Sequence, residues 1–81
     1  MSFSYVYILQ SIPMPEHFYV GLTEAMKQRL VRHNAGEVSA TAKFRPWRVK
    51  TAIAFTDRAR AADFERYLKS PSGRAFSKKR L

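Results

Sequence analysis

Alternation of apolar and polar positions in two segments, and aromatic and β-branched residues in a third, predict three β-strands in this chain. The first covers residues 3–10 (FSYVYILQ), the second 16–22 (EHFYVGL) and the third 47–55 (WRVKTAIAF). Alternation places successive side chains on opposite faces of a strand, and aromatic and β-branched residues favour that conformation. Because only residues 11–15, with two prolines, separate the first two strands, we expect an antiparallel hairpin.

Helical spacing occurs twice, once after the second strand and once after the third. In the first helix, Met26, Leu30 and His33 recur at intervals of three or four residues. Thr23 is the expected N-cap of this helix, because its side-chain oxygen can accept a hydrogen bond from a free backbone N–H. Gly36 is its expected C-terminal stop.

The second helix is expected to follow Asp57, which is a favourable N-cap. Its core-facing stripe is expected to comprise Ala61, Phe64 and Leu68. Residues 37–46 show no such periodicity and are expected to form a polar, basic loop. Residues 70–73 (SPSG) predict a break in the chain, and the basic tail over 74–81 is compatible with a short helix.

Together these elements predict an α+β fold with the order β-β-α-β-α-(α). The expected architecture is a small three-stranded antiparallel sheet flanked by helices, because each element must bury its apolar side against another. A chain of 81 residues has the size of one small domain. We therefore expect a single domain over residues 1–81.

The net charge of the chain indicates which class of partner to expect. Fifteen Lys and Arg against six Asp and Glu give a net charge of +9. This surplus favours a polyanion, and we expect nucleic acid rather than a membrane, since no helix pairs a basic face with a bulky apolar one. No stretch approaches the roughly 20 apolar residues that span a bilayer. The absence of cysteine is typical of a reducing cytoplasm, which is the expected location.

Several common catalytic arrangements are excluded by the residues present. The two histidines are sixteen positions apart and form no zinc motif, and there is no glycine-rich phosphate loop. The acids do not form the convergent set that a two-metal site needs. What remains is Tyr7 and Tyr19 on the two hairpin strands, Arg29 and His33 one turn apart on the first helix, and Glu65 at the edge of the second helix.

The order and spacing of these residues resemble the GIY-YIG nuclease superfamily. Residues 5–7 (YVY) and 19–21 (YVG) stand where the family has its two name-giving tripeptides. Arg29, His33 and Glu65 match positions that follow in the family. The resemblance covers the whole chain and looks greatest to stand-alone, single-domain bacterial members.

The resemblance implies a metal-dependent endonuclease that hydrolyses phosphodiester bonds in DNA, an activity of the kind used in DNA repair. It implies that Tyr19 is the general base and that Tyr7 positions the attacking water or shares its proton. Arg29 would lower the tyrosine pKa and grip the phosphate. His33 would hydrogen-bond the phosphate or the water, and Glu65 would hold one Mg²⁺ (or Mn²⁺). Substrate selection by structure rather than sequence is expected, with branched and single-stranded DNA as candidates.

Further basic residues are expected to contact the nucleic acid, in the loop before the third strand and in the tail. They are Lys43, Arg45, Arg74, Lys78 and Lys79. Trp47 is expected to begin the third strand and pack in the core, and stacking on a base is the alternative.

Two alternatives to an enzyme that acts alone stay open. The same fold could hold nucleic acid without cutting it. Leu22 supports this alternative, since some members of the family have a lysine there that lowers the tyrosine pKa. The chain could also be a subunit that needs a protein partner to recognise its substrate.

Overall fold

The computed structural model describes residues 2–81 and contains one antiparallel sheet with helices on both faces. In chain order the elements are β1 (Ser4–Ser11), β2 (Phe18–Thr23), α1 (Met26–Asn34), α2 (Ser39–Ala42), β3 (Trp47–Phe55), α3 (Arg58–Lys69) and α4 (Pro71–Arg80). The predicted α+β class, the hairpin and the three-stranded sheet are confirmed. No helix within residues 2–81 has the length and apolar character needed to cross a membrane.

The sheet has the order β2-β1-β3, so the first strand lies in the centre and is hydrogen-bonded on both sides. Tyr7 lies opposite Gly21 on β2 and opposite Ala52 on β3, whereas Leu9 pairs with Tyr19. A central strand covered on both faces must be apolar on both, which explains the uninterrupted apolar stretch YVYIL over residues 5–9 of β1.

Each face of the sheet has its own core. On one face, which we call the α3 face, Val6 and Ile8 are buried against Ala61 and Leu68. On the opposite face, the α1 face, Tyr7, Leu9 and Trp47 are buried, and Met26 and Leu30 of α1 pack on them. Burial of each large apolar side chain contributes about 1.5–3 kcal/mol, so both faces stabilise the sheet.

Two predicted helix boundaries are confirmed. The Asp57 carboxylate accepts hydrogen bonds from the backbone N–H groups of Ala59 (2.8 Å) and Arg60 (3.3 Å), which caps α3. Gly36 follows α1 with a φ of +79°, and its N–H donates to the carbonyl of His33 at 3.2 Å. This backbone conformation is unfavourable for a residue with a side chain, and glycine therefore ends the helix here.

The predicted start of α1 is wrong. Thr23 is the last residue of β2, and the helix begins three residues later, at Met26. The Thr23 hydroxyl accepts a hydrogen bond from the N–H of Ala25 at 3.1 Å, so it satisfies an amide of the connection rather than one inside the helix. Thr23 does accept a hydrogen bond from a free backbone N–H, as predicted, but the donor, Ala25, precedes the first residue of the helix.

Two loop predictions also need correction. The segment 37–46 contains the short helix α2, and the predicted break at 70–73 is reduced to Ser70. The Ser70 hydroxyl accepts a hydrogen bond from the N–H of Gly73 at 3.1 Å, and Pro71 is the first residue of α4. A serine N-cap followed by proline is a favourable helix start, so the same residues that end α3 begin α4.

Candidate active site

Tyr7 is the centre of the candidate site. It lies on the middle strand, and its side chain points to the α1 face, where it is buried. Gly21, its partner on β2, makes room for it, because a Cβ built on this glycine would overlap the Tyr7 ring and hydroxyl. The glycine of the second tripeptide is therefore needed for the close approach of the phenol to the β2 backbone.

A hydrogen-bonded chain of buried side chains extends from this phenol. The Tyr7 Oη and His33 Nε2 atoms are 2.9 Å apart, and His33 Nδ1 lies 2.7 Å from Thr41 Oγ1. Thr41 Oγ1 also lies 3.3 Å from the carbonyl of Val38, which already accepts the N–H groups of Thr41 and Ala42. Tyr7, His33 and Thr41 each expose no more than 1% of their surface, so the chain is closed to water.

Tyr19 completes an aromatic cluster at the solvent-facing side of this chain. Its ring centroid lies 5.1 Å from that of His33 and 6.4 Å from that of Tyr7. Unlike Tyr7, it is half-buried. The structure thus brings Tyr7, Tyr19 and His33 together on the α1 face and leaves Tyr19 as the phenol with access to solvent.

The electrostatic surroundings of Tyr7 include two more of the predicted residues. Burial is the main reason that the pKa of Tyr7 is raised to about 12. The charge of Arg29 opposes this shift, whereas the charges of Tyr19 and Glu65 add to it. Both Arg29 and Glu65 are therefore within electrostatic reach of the buried phenol. The charge of Arg29 thus lowers the pKa of Tyr7, but burial raises this pKa by more.

Glu65 differs from every other acidic residue of the chain in its burial. Its side chain is 21% exposed, whereas those of the other five acids are 55–70% exposed. It lies on α3, whose core stripe packs on the α3 face, yet its charge acts on Tyr7 on the α1 face. Its Oε2 atom also pairs with the Lys69 ammonium group at 3.2 Å.

His33 is held in its neutral form. Burial lowers its pKa, and the positive charges of Arg29 and Arg32 lower it further. Both ring nitrogens already have hydrogen-bond partners inside the protein. Because the ring has no free polar atom and no exposed surface here, the contact of His33 with the phosphate or the attacking water stays a prediction.

The metal-binding capacity of the site rests on a single carboxylate. In the described part of the chain, no three His, Cys, Asp or Glu side chains converge. A divalent ion held by Glu65 would take its remaining ligands from water and phosphate oxygens. Mg²⁺ fits this donor set, because it keeps several of its waters and is commonly bound through one or two carboxylates.

The basic residues expected to contact nucleic acid fall into two separate regions. Lys43 and Arg45 are exposed in the connection between α2 and β3; the Lys43 ammonium lies 5.6 Å from the centre of the Phe44 ring. Arg74, Lys78 and Lys79 are exposed on α4. Phe44 packs with the core of the α1 face, so its neighbours Lys43 and Arg45 lie at the same face of the sheet as the candidate site.

Trp47 belongs to the core, as predicted. It is 3% exposed, and its indole N–H donates to the carbonyl of Thr41 at 2.8 Å. The side chain of Asn34, at the end of α1, donates to the Trp47 carbonyl and accepts from its N–H (2.6 Å). The alternative of base stacking is therefore excluded for this conformation.

Thr41 is the site residue that the sequence did not indicate. It lies eight positions after His33 in a segment that was expected to be a loop, and threonine is common in such segments. Its contact with His33 depends on α2 and on the hydrogen bond from Trp47 that holds the Thr41 backbone. The four residues 39–42 (SATA) form too short a segment for a helix to be recognised from the sequence.

The sheet order, the paired tyrosine strands and this cluster define the class of protein. The chain belongs to the GIY-YIG family: the model of the GIY-YIG catalytic domain matches residues 3–80.

Among curated proteins, the chain resembles the structure-specific endonuclease subunit SLX1 of several yeasts. It is 42% identical over 71 residues to that of Scheffersomyces stipitis, covering 79% of this chain and 21% of the relative. The corresponding values are 37% over 73 residues for Debaryomyces hansenii (82% and 21%) and 40% over 74 residues for Candida dubliniensis (83% and 26%). The chain spans about a fifth to a quarter of the length of these relatives. The expected resemblance to bacterial stand-alone members is not supported.

Proposed function

We propose that this GIY-YIG domain is an endonuclease that hydrolyses phosphodiester bonds in branched DNA, with Tyr19 as general base and a divalent metal ion at Glu65. One observation carries this proposal: the Glu65 side chain is much less exposed than those of the other five acids, and its negative charge contributes to the raised pKa of the buried Tyr7. A carboxylate kept only for solubility or for a surface ion pair has no reason to be less exposed than its five counterparts.

The two phenols have different roles in this mechanism. A base must reach the attacking water, and Tyr19 is the phenol with exposed surface. Tyr7, with its pKa raised to about 12, keeps its proton at neutral pH and acts as a hydrogen-bond donor. As the water oxygen bonds to phosphorus, its proton passes to the ionised Tyr19 oxygen, the bond from phosphorus to the leaving oxygen breaks, and the leaving oxygen takes a proton from solvent.

The buried chain sets the direction in which Tyr7 donates. The Thr41 hydroxyl has one hydrogen, which it donates to the Val38 carbonyl at 3.3 Å, so we infer that its oxygen accepts the N–H of His33 Nδ1. The neutral imidazole then carries its proton on Nδ1, and Nε2 accepts the hydroxyl hydrogen of Tyr7. Every hydrogen of this chain has a partner inside the protein, and the Tyr7 ring is held beside Tyr19. His33 and Thr41 are thus positioning residues.

Arg29 is the proposed phosphate ligand among the side chains. It is half-buried, and none of the ion pairs in the described residues involves it. Its guanidinium can therefore take both oxygens of a phosphate in a planar, bidentate contact. A Mg²⁺ or Mn²⁺ ion at Glu65 would supply neutralisation of the charge that develops on the phosphate and the leaving oxygen.

The relatives support the substrate and partner that we propose. They are named as subunits of a structure-specific endonuclease, and this chain matches their GIY-YIG portion. We therefore propose branched DNA as the substrate, a role in DNA repair, and a protein partner that contributes to substrate recognition. Lys43 and Arg45, on the side of the site, are the proposed contacts with the DNA backbone there.

A second candidate function is a module that binds nucleic acid without cutting it. The ion pair between Glu65 and Lys69, 3.2 Å long, favours this candidate, because the ammonium group occupies the carboxylate that the metal would need. The same surface would then bind phosphates through its cations alone.

Cleavage of branched, single-stranded and duplex DNA separates the two candidates. The purified chain is incubated with each substrate in Mg²⁺, in Mn²⁺ and in EDTA, beside Glu65→Gln. Asp63→Asn is the matched control, since it removes a charge from an exposed position of the same helix. We expect metal-dependent cleavage that falls about a hundredfold or more in Glu65→Gln and less than about twofold in the control, because the loss of the metal site removes several kcal/mol of transition-state stabilisation. Binding without cleavage in every metal would instead support the module.

A further inference from the structure

A groove on the α3 face is not explained by the candidate active site. It has a volume of about 910 Å³ and lies between the sheet and the end of α3 together with α4. Its floor includes Ile8, Val20 and Leu68, which belong to the apolar core of that face. Apolar side chains at the floor of an accessible groove indicate a surface suited to a ligand with flat or apolar parts.

The rim of this groove is strongly basic. Lys50, Arg74 and Lys78 line it, and none of them takes part in an ion pair in the described residues. Five of the six acids pair with another lysine or arginine instead, including the Glu65–Lys69 pair at the same groove. Glu16 is the one acid along the rim, and it lies 3.9 Å from the imidazole of His17. The groove therefore complements an anion with repeated charges.

An exposed aromatic ring stands among these cations. Phe18 lines the groove, is 51% exposed, and has the Lys50 ammonium group 5.5 Å from its ring centre. An unstacked base can lie on such a ring while its phosphates contact the neighbouring cations. A duplex cannot use this ring in the same way, because its bases are already stacked on each other.

The groove is continuous with the candidate active site. Tyr19 lines the groove, and its ring also packs against His33 on the α1 face. It belongs to β2, which is an edge strand of the sheet. A nucleic-acid strand can therefore pass round this edge from the active site into the groove without crossing the body of the protein.

We propose that this groove binds the single-stranded arm of a branched DNA, with its phosphates on Lys50, Arg74 and Lys78 and a base on Phe18. The proposal rests on the proposed nuclease function for the placement of the branch at Tyr19. It assigns structure selectivity to the domain itself: a duplex would occupy the active-site side, and the unpaired arm would continue into the groove.

Binding to three DNA ligands in EDTA tests this proposal without cleavage. Fluorescence anisotropy compares a flapped duplex, a blunt duplex of the same length and the free single strand. The triple variant Lys50→Gln, Arg74→Gln, Lys78→Gln is compared with Arg58→Gln, Arg60→Gln, Arg66→Gln, which removes the same charge from α3, where each arginine pairs with an acid. Circular dichroism verifies that both variants fold.

The groove triple variant should bind the flapped duplex and the single strand at least tenfold more weakly, with the blunt duplex weakened no more than in the control. The slope of log affinity against log salt for the single strand should fall by about 2, because three phosphate contacts are lost. Phe18→Leu should weaken the single strand, and Phe18→Tyr should preserve it. Equal losses for the flapped and blunt duplexes in both triple variants would overturn the proposal.

An acidic protein segment is the rival occupant, and the same experiment detects it. A poly-glutamate peptide that binds more tightly than the single strand, and is released by the groove variant but not by the control, would assign the groove to an acidic partner instead. The experiments also distinguish failure of the nuclease function from failure of the groove proposal. If cleavage does not depend on Glu65 but binding of the flapped duplex still depends on the groove residues, only the nuclease function is refuted. If cleavage depends on Glu65 but binding does not depend on the groove residues, only the groove proposal is refuted.

Discussion

The two faces of the sheet are built from the same central strand but contain different cores. On the α3 face, Val6 and Ile8 meet Ala61 and Leu68, and no polar side chain is needed. On the α1 face, Tyr7 meets His33 in a buried hydrogen-bonded chain that ends at Thr41. Burial of polar groups is costly unless each finds a partner. In residues 2–81 no buried side-chain nitrogen or oxygen is without one.

This difference separates apolar packing on one face from a buried hydrogen-bonded chain on the other. Apolar packing on the α3 face is non-directional and tolerates small shifts of its members, whereas the α1 face holds its phenol and imidazole in one arrangement through directional bonds. The buried hydrogen-bonded chain thus lies on the α1 face, where it fixes the orientation of the Tyr7 phenol. Substitutions on the two faces should therefore have different effects, and four of them break or sharpen the comparison.

The largest effect on stability is expected on the α3 face. Leu68→Ala should lower the free energy of unfolding by about 2–5 kcal/mol, because it leaves a cavity in the apolar core. Cleavage per folded molecule should stay within about twofold of the unchanged chain, since Tyr7 and His33 keep their contacts and Glu65, on the same helix as Leu68, keeps its position beside Lys69. Urea unfolding measures the first quantity, and Val31→Ala, at a 67% exposed position, is the control with an expected change below about 0.5 kcal/mol. A loss of cleavage per folded molecule would contradict the separation of the faces.

Gly21→Ala, on the α1 face, should have a smaller effect on stability and a larger effect on the cleavage rate than Leu68→Ala. The added Cβ overlaps the Tyr7 ring, so the phenol must move, at a cost of about 1–3 kcal/mol in stability. Displacement of a positioned group by about an ångström lowers the rate about a hundredfold, and we expect a loss of that size in single-turnover cleavage. The cost of Gly21→Ala should become much smaller in a Tyr7→Leu background, which lacks all the overlapped ring and hydroxyl atoms. An unchanged cost in that background would show that the overlap is not the cause.

Thr41→Val tests the buried chain at its far end, where the side chain cannot touch a substrate. It leaves His33 Nδ1 without a partner, which should cost about 1–2 kcal/mol in stability and lower the cleavage rate about tenfold with DNA affinity unchanged. Thr41→Ser keeps the hydroxyl and should restore both. The ¹⁵N shifts of the imidazole should report a proton on Nδ1 in the unchanged chain. A proton on Nε2 there would reverse the inferred direction of the chain.

The smallest effect concerns pH. Because the pKa of His33 is lowered in the folded chain, the unfolded chain binds a proton more readily below pH 6.5. The contribution of His33 to stability should thus be complete above pH 6.5 and decrease as the pH falls, with a slope of at most about 1.4 kcal/mol per pH unit. The difference in stability between the unchanged chain and His33→Gln, measured in urea from pH 5 to 8, should shrink on the acidic side. A difference that grows toward acid would show the opposite shift.

The secondary structure followed from the sequence wherever local forces dominate. The alternation in 47–55 predicted β3 at both ends, and Asp57 and Gly36 marked helix boundaries because capping and a positive φ are local properties. Thr23 and the segment 70–73 were misjudged for a related reason: a capping side chain satisfies whichever free amide the backbone presents to it. Its presence therefore does not fix which residue begins the helix.

The candidate site was predictable as a set of residues but not as a geometry. The order of Tyr7, Tyr19, Arg29, His33 and Glu65 along the chain identified the family, because a family retains residue types at fixed spacings. Burial decided their roles: it raised the pKa of Tyr7, enclosed His33 between two partners, and left Tyr19 with access to solvent. Desolvation depends on all surrounding atoms, and no single stretch of sequence contains that information.

By itself, then, the sequence determined the three strands, the main helices, the basic character of the chain and the identities of the candidate catalytic residues. Tertiary structure alone decided that Thr41 meets His33, that Glu65 is withdrawn from solvent and that a basic groove leads away from Tyr19. The physical reason is range: strand alternation and capping act over a few residues, whereas burial and the meeting of side chains depend on segments that are distant in the chain and adjacent only after folding.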